Sequence, residues 1–264
     1  MQLPLSATLV PRLDVLPEAG STNDVLVAAA AGLDDLSVVV TGNQTAGRGR
    51  LGRQWVAPAG KSLAISVLLR PRLPAGEPLS LEHFGWLPLI AGVAMTRAVS
   101  PLVRGRAGLK WPNDVQVDGL KVSGLLAELL PTGDAVVMGA GINLSLAADE
   151  LPTPVSTSLT LSGASLSGDE LADAVLSGYL AALTELYADF VRYGADVMAS
   201  GTLDLVSEYC STLGQEVRVH LPSGDDLLGT ATGIDGSGRL QVRRSSDGAV
   251  TAVAAGDVTH LRYE

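Results

Sequence analysis

The spacing of apolar and polar positions predicts a short strand over residues 12–16. Ser21-Thr22-Asn23-Asp24 then offers N-cap side chains ahead of the alanine-rich residues 25–31, so a capped helix follows. Residues 36–41 are β-branched and residues 62–69 apolar, both read as strands, and the glycine-rich stretch 42–60 between them reads as a loop. A loop of that length inside a compact domain usually carries function or moves. Residues 81–99 read as a mostly buried helix. Residues 109–130 carry strand-like runs broken at Pro112 and at Asp118-Gly119, and residues 135–144 are apolar with interspersed glycine. A long amphipathic helix is predicted over 169–191, with Leu171, Val175, Tyr179, Leu183 and Tyr187 on one stripe, and a second helix over 202–210.

After Gly214 the period shortens. The runs 217–221, 227–232, 240–243, 250–253 and 258–261 are separated by Pro222-Ser223-Gly224-Asp225, Asp235-Gly236-Ser237-Gly238 and Asp247-Gly248. Turn signals at that spacing predict a small all-β barrel of about 50 residues. The expected organisation is therefore α+β, with one domain over 1–212 and a second over 213–264.

Composition narrows the function. The chain is 47% hydrophobic and 17% charged, an ordinary globular balance. No apolar run approaches a membrane span, and the first residues lack the pattern of a signal peptide, so a cytoplasmic protein is expected. A net charge of -10 argues against general nucleic-acid binding. The lone Cys210 forms no disulfide within the chain and reads as a half-buried helix residue, while His83, His220 and His260 are scattered and read as structural. Charge is nevertheless uneven: residues 37–76 contain no Asp or Glu but hold Arg48, Arg50, Arg53, Lys61, Arg70 and Arg72. Such an island suits either a solvated basic loop or a local anionic ligand.

Two familiar patterns fail on context. Gly47-Arg48-Gly49-Arg50-Leu51-Gly52 satisfies G-x-G-x-x-G, yet Trp55, Pro58 and a strand follow where a dinucleotide site needs a helix. Gly60-Lys61-Ser62 resembles the end of a P-loop, but no helix follows it either. The glycines still let backbone N–H groups approach an anion, and the three arginines lack acidic neighbours in sequence, so the loop is expected to be mobile without ligand and to order over it. Lys110-Trp111-Pro112-Asn113-Asp114 gathers a cation, an aromatic plate, a rigid turn, an amide and a carboxylate, and a hairpin can return Lys121 beside Asn113 and Asp114. Only three lysines, Lys61, Lys110 and Lys121, stand against fifteen arginines, which makes surface decoration a poor reason for Lys110 and Lys121.

Taken in order, Ser21-Thr22-Asn23, the run from Gln44 through Gly47-Arg48-Gly49-Arg50-Leu51-Gly52-Arg53 to Trp55, Lys110-Trp111-Pro112-Asn113-Asp114, Gly119-Leu120-Lys121-Val122-Ser123-Gly124-Leu125-Leu126-Ala127-Glu128 and Gly139-Ala140-Gly141-Ile142-Asn143-Leu144 resemble the biotin protein ligase family. The resemblance implies a catalytic domain like that of class II aminoacyl-tRNA synthetases, with a mixed, largely antiparallel sheet, and a C-terminal SH3-like β barrel. It implies formation of biotinyl-5'-AMP from biotin and ATP, with Mg2+, and transfer of biotin to a lysine of a biotin carboxyl carrier domain. It assigns Ser21, Thr22, Asn23, Gln44, Gly47, Arg48, Gly49, Arg50 and Lys121 to biotin. ATP or the adenylate falls to Arg48, Arg50, Arg53, Trp55, Lys110, Trp111, Asn113, Lys121 and Asn143, and catalysis to Lys121, Arg50 and Asp114. Metal ligands are not assigned. Some members begin with a DNA-binding domain; here about ten residues precede the first strand, so neither a repressor role nor DNA or membrane partners are expected. Lipoate or octanoate attachment is the nearest alternative, opposed by the absence of an arginine followed by three glycines, and a non-catalytic biotin sensor is another.

Overall fold

A computed structural model describes residues 1–221, 224–254 and 256–261. The first strand, β1 (Leu13–Leu16), leads into α1 (Thr22–Ala29), β2 (Val38–Thr41), a two-residue ladder β3 (Gly47–Arg48) with β4 (Gln54–Trp55), and β5 (Ser62–Leu69). The helix α2 (Leu87–Val99) follows a 3-10 segment, Leu81–Trp86, and precedes four strands, β6 (Ala107–Lys110), β7 (Asp114–Val117), β8 (Leu120–Leu129) and β9 (Val136–Asn143). Then come α3 (Gly168–Arg192) and α4 (Thr202–Tyr209). The last strands are β10 (Glu216–His220), β11 (Asp226–Ile234), β12 (Leu240–Arg244), β13 (Val250–Val253) and β14 (Asp257–His260).

Seven strands form one sheet in the order β1-β2-β5-β9-β8-β7-β6, with β1 and β2 parallel and every other neighbour antiparallel. Alternation along each strand divides the two faces. On β5, Leu63, Ile65, Val67 and Leu69 join the core beneath α2 and α3, and on β9 Val136, Met138, Ala140 and Ile142 do the same. The opposite face carries Val39, Leu68 and Val137 against Leu26 and Ala30 of α1 and its 3-10 extension. Between these apolar contacts that face is lined by small residues, Ala64, Ser66, Gly139 and Gly141.

The second sheet is five-stranded and antiparallel, β13-β12-β11-β10-β14, with a bulge between Ala231 and Gly233. Its Val217, Val219, Leu240 and Val242 belong to the same apolar cluster as α2 and α3, so the core runs without a break from one sheet to the other.

Local details differ from expectation in four places. Ser21 sits at the N-cap of α1 but makes no side-chain cap bond, and the helix begins at Thr22 rather than Val25. The apolar stretch 81–99 is helical throughout but tight 3-10 up to Trp86. Cys210 lies past the end of α4, buried and bridged to Leu109. The helix α3 is long and apolar enough to cross a membrane by length and composition, contrary to the reading of its sequence, yet its predicted stripe is buried and packs on α2, as in a core helix. The Pro222-Ser223 part of one expected turn lies outside the described residues.

Candidate active site

Cross-strand register aligns one row of residues over the open face: Lys110 opposite Asp114, Asp114 opposite Gly124, Gly124 opposite Gly141, Gly141 opposite Ala64, and Ala64 opposite Thr41. Directly paired residues point to the same side of a sheet, so a cation and a carboxylate stand at one end of a floor made of glycine and alanine. Lys121 reaches that floor through a β-bulge. On β7, Val115 and Gln116 are consecutive, while their partners Ser123 and Lys121 are two apart, leaving Val122 as the extra residue. Without it Lys121 and Gly124, three positions apart, would face opposite sides; the bulge restores them to one side. Lys121 Nζ lies 2.6 Å from Asp114 Oδ1, and a Cβ at Gly124 would come within 2.9 Å of that ammonium.

Trp55 lies flat on this floor. A Cβ at Gly141 would sit 2.4 Å from its Cε2, and the Lys121 ammonium is 6.0 Å from the ring centre, within reach of a cation–π contact. The indole Nε1 is buried and finds no acceptor among the described residues. Around it stand Ser21, Thr22, Asn23, Gln44 and Arg48. Ser66 Oγ donates to Asn23 Oδ1 at 2.6 Å, Asn23 Nδ2 donates to Glu128 Oε1 at 2.9 Å, and Gln44 Oε1 accepts from the backbone N–H of Thr22 at 3.0 Å. Gly47 is required here by close approach, since a Cβ would meet Gln44 Nε2 at 2.4 Å. Trp55 and Arg48 leave only about 30 Å³ free in this pocket, far less than the few hundred Å³ of a small-molecule site.

The glycine-rich loop is tied down more firmly than its sequence suggests. Arg48 makes a two-pronged contact with Asp24 of α1, at 2.7 and 2.6 Å, and reaches both oxygens of Glu128 on β8, at 2.9 and 3.0 Å. The loop has no acid near it in sequence, as expected, but the fold supplies Arg48 with two from elements 24 and 80 residues away. The bond from Arg48 holds the Asp24 carboxyl below its ordinary range. These groups are partly exposed, so each pairing stabilises by no more than about 1 kcal/mol. Arg50 Nη1 donates to Asn113 Oδ1 at 2.9 Å and its Nη2 to the Gly256 carbonyl at 3.3 Å, while Arg53 Nε donates to the Arg50 carbonyl at 3.3 Å. The loop tip is strained, with Leu51 at φ +56° and 69% exposed.

A second cavity of about 430 Å³ opens beside the first, walled by Trp111, Pro112, Asn113, Leu126, Arg50 and residues of the C-terminal sheet. Trp111 is buried, its indole donating to the Gly238 carbonyl at 3.1 Å and its backbone N–H to Thr212 Oγ1 at 3.0 Å. Asn143 stands apart from both cavities as described, its amide buried and donating to the Thr157 carbonyl at 2.9 Å. Lys110 shares the floor's row from its far edge. Among the described residues no three His, Cys, Asp or Glu side chains converge as a metal site. Sequence offers Asp24 only as an N-cap side chain and Glu128 only as the end of a family motif, with no role toward Arg48 for either; only the fold brings the three together.

Comparison with known proteins gives a consistent result. A model described as the biotin/lipoate A/B protein ligase family matches residues 18–143, and one described as the biotin protein ligase C terminal domain matches residues 212–261. The chain is 37% identical over 259 residues to a biotin–[acetyl-CoA-carboxylase] ligase of Mycobacterium tuberculosis, covering 95% of this chain and 90% of the relative. It resembles the Aquifex aeolicus biotin protein ligase solved with biotin and ATP, at a TM-score of 0.70 and 26% identity over 94% of this chain and 98% of the other. The Leishmania major enzyme solved with biotinyl-5-AMP is similar at a TM-score of 0.58 and 26% identity, over 93% and 99% of the two chains.

Proposed function

This chain belongs to the biotin protein ligase family, and from that membership we propose how its two adjoining cavities divide the reaction. Biotin occupies the pocket floored by Gly124, Gly139 and Gly141, and ATP the cleft beside Trp111 and Asn113. The observation that carries this reading is the Lys121–Asp114 pair, 2.6 Å apart, with the ammonium over Gly124 of the first pocket and Asp114 next in sequence to Asn113 of the second.

In the first step a carboxylate oxygen of biotin attacks the α-phosphorus of ATP. The bond to the β-phosphate bridging oxygen breaks, and pyrophosphate leaves with the electron pair. Charge builds on the carboxyl and α-phosphate oxygens, where the Lys121 ammonium, held in place by Asp114, neutralises it most. Ser21, Thr22, Asn23 and Gln44 supply donors and acceptors for the ureido ring. Trp55 lies between the two ligands, and its buried N–H needs an acceptor that a ligand can provide. With so little free space in the ligand-free pocket, entry of biotin requires Trp55 and the loop of Gly47, Arg48, Gly49, Arg50 and Arg53 to lift and then close again.

In the second step a carrier lysine attacks the carbonyl carbon of the mixed anhydride, and AMP leaves with the electron pair of the broken C–O bond. At a free pKa near 10.4 only about one amine in 2,500 is neutral at pH 7, so Asp114 accepts its proton as it attacks. Magnesium was expected with ATP. The described residues build no three-ligand cage, so such an ion would be held by the nucleotide's own phosphates, and no step here depends on it.

The finer structural reading is that residues 1–212 form a class II synthetase-like catalytic domain and residues 213–264 an SH3-like barrel. The acceptor is a biotin carboxyl carrier domain, in the cytoplasm. The test is biotin-dependent pyrophosphate release followed by labelling of an apo carrier domain, with lipoate and octanoate as controls. Equal activity with lipoate would overturn the substrate assignment.

A further inference from the structure

The hairpin turn joining β11 to β12 reaches into the wall of the second cavity. Two tryptophans of the catalytic sheet's side grip it: Trp86 Nε1 donates to the Gly236 carbonyl at 2.9 Å and Trp111 Nε1 to the Gly238 carbonyl at 3.1 Å. The fit leaves no room for a side chain on either partner. A Cβ at Gly85 would lie 2.9 Å from the Ser237 carbonyl, and one at Gly238, where φ is +79°, 3.2 Å from the Gly85 carbonyl. The turn is rigid in itself as well. Asp235 Oδ1 accepts the backbone N–H groups of Ser237 and Arg239, at 2.9 and 3.0 Å.

Arg239 is the product of this construction. Asp235 Oδ2 takes its Nε–H at 2.8 Å, and no described residue bonds its two terminal nitrogens. A guanidinium held by one edge presents its other edge to a ligand, the geometry in which arginine grips phosphate oxygens. Arg239 lines the cavity together with Arg50, and among the described residues no Asp or Glu lines it, although the chain as a whole carries a net charge of -10. Asp235 offsets part of Arg239's charge from behind without entering the wall.

We propose that Arg239, presented by the β11–β12 turn, binds the β- and γ-phosphates of ATP and the pyrophosphate they become. This rests on the ligase reading and extends it: the C-terminal sheet becomes a wall of the nucleotide site, and Asp235 a positioning residue. The phosphate chain lies between Arg239 on one side and Arg50 on the other.

The experiment compares wild type with Arg239→Ala, Arg239→Gln and Arg239→Lys in steady-state pyrophosphate release, measuring KM for ATP and for biotin and inhibition by AMP and by inorganic pyrophosphate. The expected result for Ala and Gln is a rise of about 10-fold in both the KM for ATP and the inhibition constant of pyrophosphate, equivalent to ~1.4 kcal/mol. Inhibition by AMP and the KM for biotin should stay within about twofold, and Lys should recover part of the loss. Arg239→Gln keeps most of the side chain, so a fault in folding of the Ala variant alone would not imitate the pattern. Equal weakening of ATP and AMP, or a KM for ATP within about twofold of wild type, overturns the inference. Failure of the ligase reading looks different, since wild type itself would then release no pyrophosphate in response to biotin.

Discussion

At the scale of single residues, the site is built from what is missing as much as from what is present. Gly141 lets the Trp55 indole lie against the sheet, where a Cβ would fall 2.4 Å from Cε2. Gly141→Ala should therefore lift the indole and weaken biotin binding by about 10-fold or more, because a contact that close is relieved only by moving a ring in a packed environment. Isothermal titration with biotin checks it. Lys121 is the opposite case, a group whose charge matters where negative charge develops. Lys121→Ala should cut pyrophosphate release by about 100-fold or more while leaving the fold intact; near-normal release would remove it from the reaction. Both residues were legible as motif members, but the reason Lys121 faces Gly124 was not. That depends on Val122 being left out of the β7–β8 pairing, and a bulge has no signature in this run of small and apolar residues.

Among elements, the loop between β2 and β5 is the one that sequence and structure describe differently. Its glycines and arginines read as a mobile segment, whereas in the fold Arg48 is clasped by Asp24 and Glu128. The clasp is surface-exposed and weak, and the pocket beneath has only about 30 Å³ free, so on the ligase reading proposed above the loop opens to admit biotin. Limited proteolysis between Thr45 and Trp55 should slow when biotin and ATP are both present. Asp24→Asn combined with Glu128→Gln should speed cleavage of the ligand-free protein by about threefold, as expected for losing roughly 0.7 kcal/mol of closure. Cleavage of the double variant at the wild-type rate would show that the clasp does not hold the loop.

Over the whole molecule, the N-terminal residues are fastened to α3 by a buried carboxylate. Asp173 accepts the backbone N–H groups of Leu5 and Ser6, both at 2.9 Å, and the Ser6 hydroxyl at 2.6 Å. Burial pushes this carboxyl up, but the bonds from Ser6 and Leu5 outweigh it and hold the group below the ordinary aspartate value of 3.8. A carboxyl lowered in the folded state stabilises above its unfolded pKa, and that contribution is lost as pH falls through the folded value. Asp173→Ala should lower stability by about 2 kcal/mol, leaving the Leu5 and Ser6 donors unpaired, and its melting temperature should fall less steeply than wild type's below about pH 4; parallel acid curves would refute the link. The sequence by itself determined the order of strands and helices, the change of texture near residue 212 and the motifs that meet on the open face of the first sheet, because these follow from local periodicity and from side chains gathered at fixed spacing. Tertiary structure alone decided which face Lys121 occupies, which acids hold Arg48, and that the β11–β12 turn enters the wall of the second cavity. Each of those is a meeting of residues tens to more than a hundred positions apart or a slip in strand register, and neither leaves a mark in any local pattern.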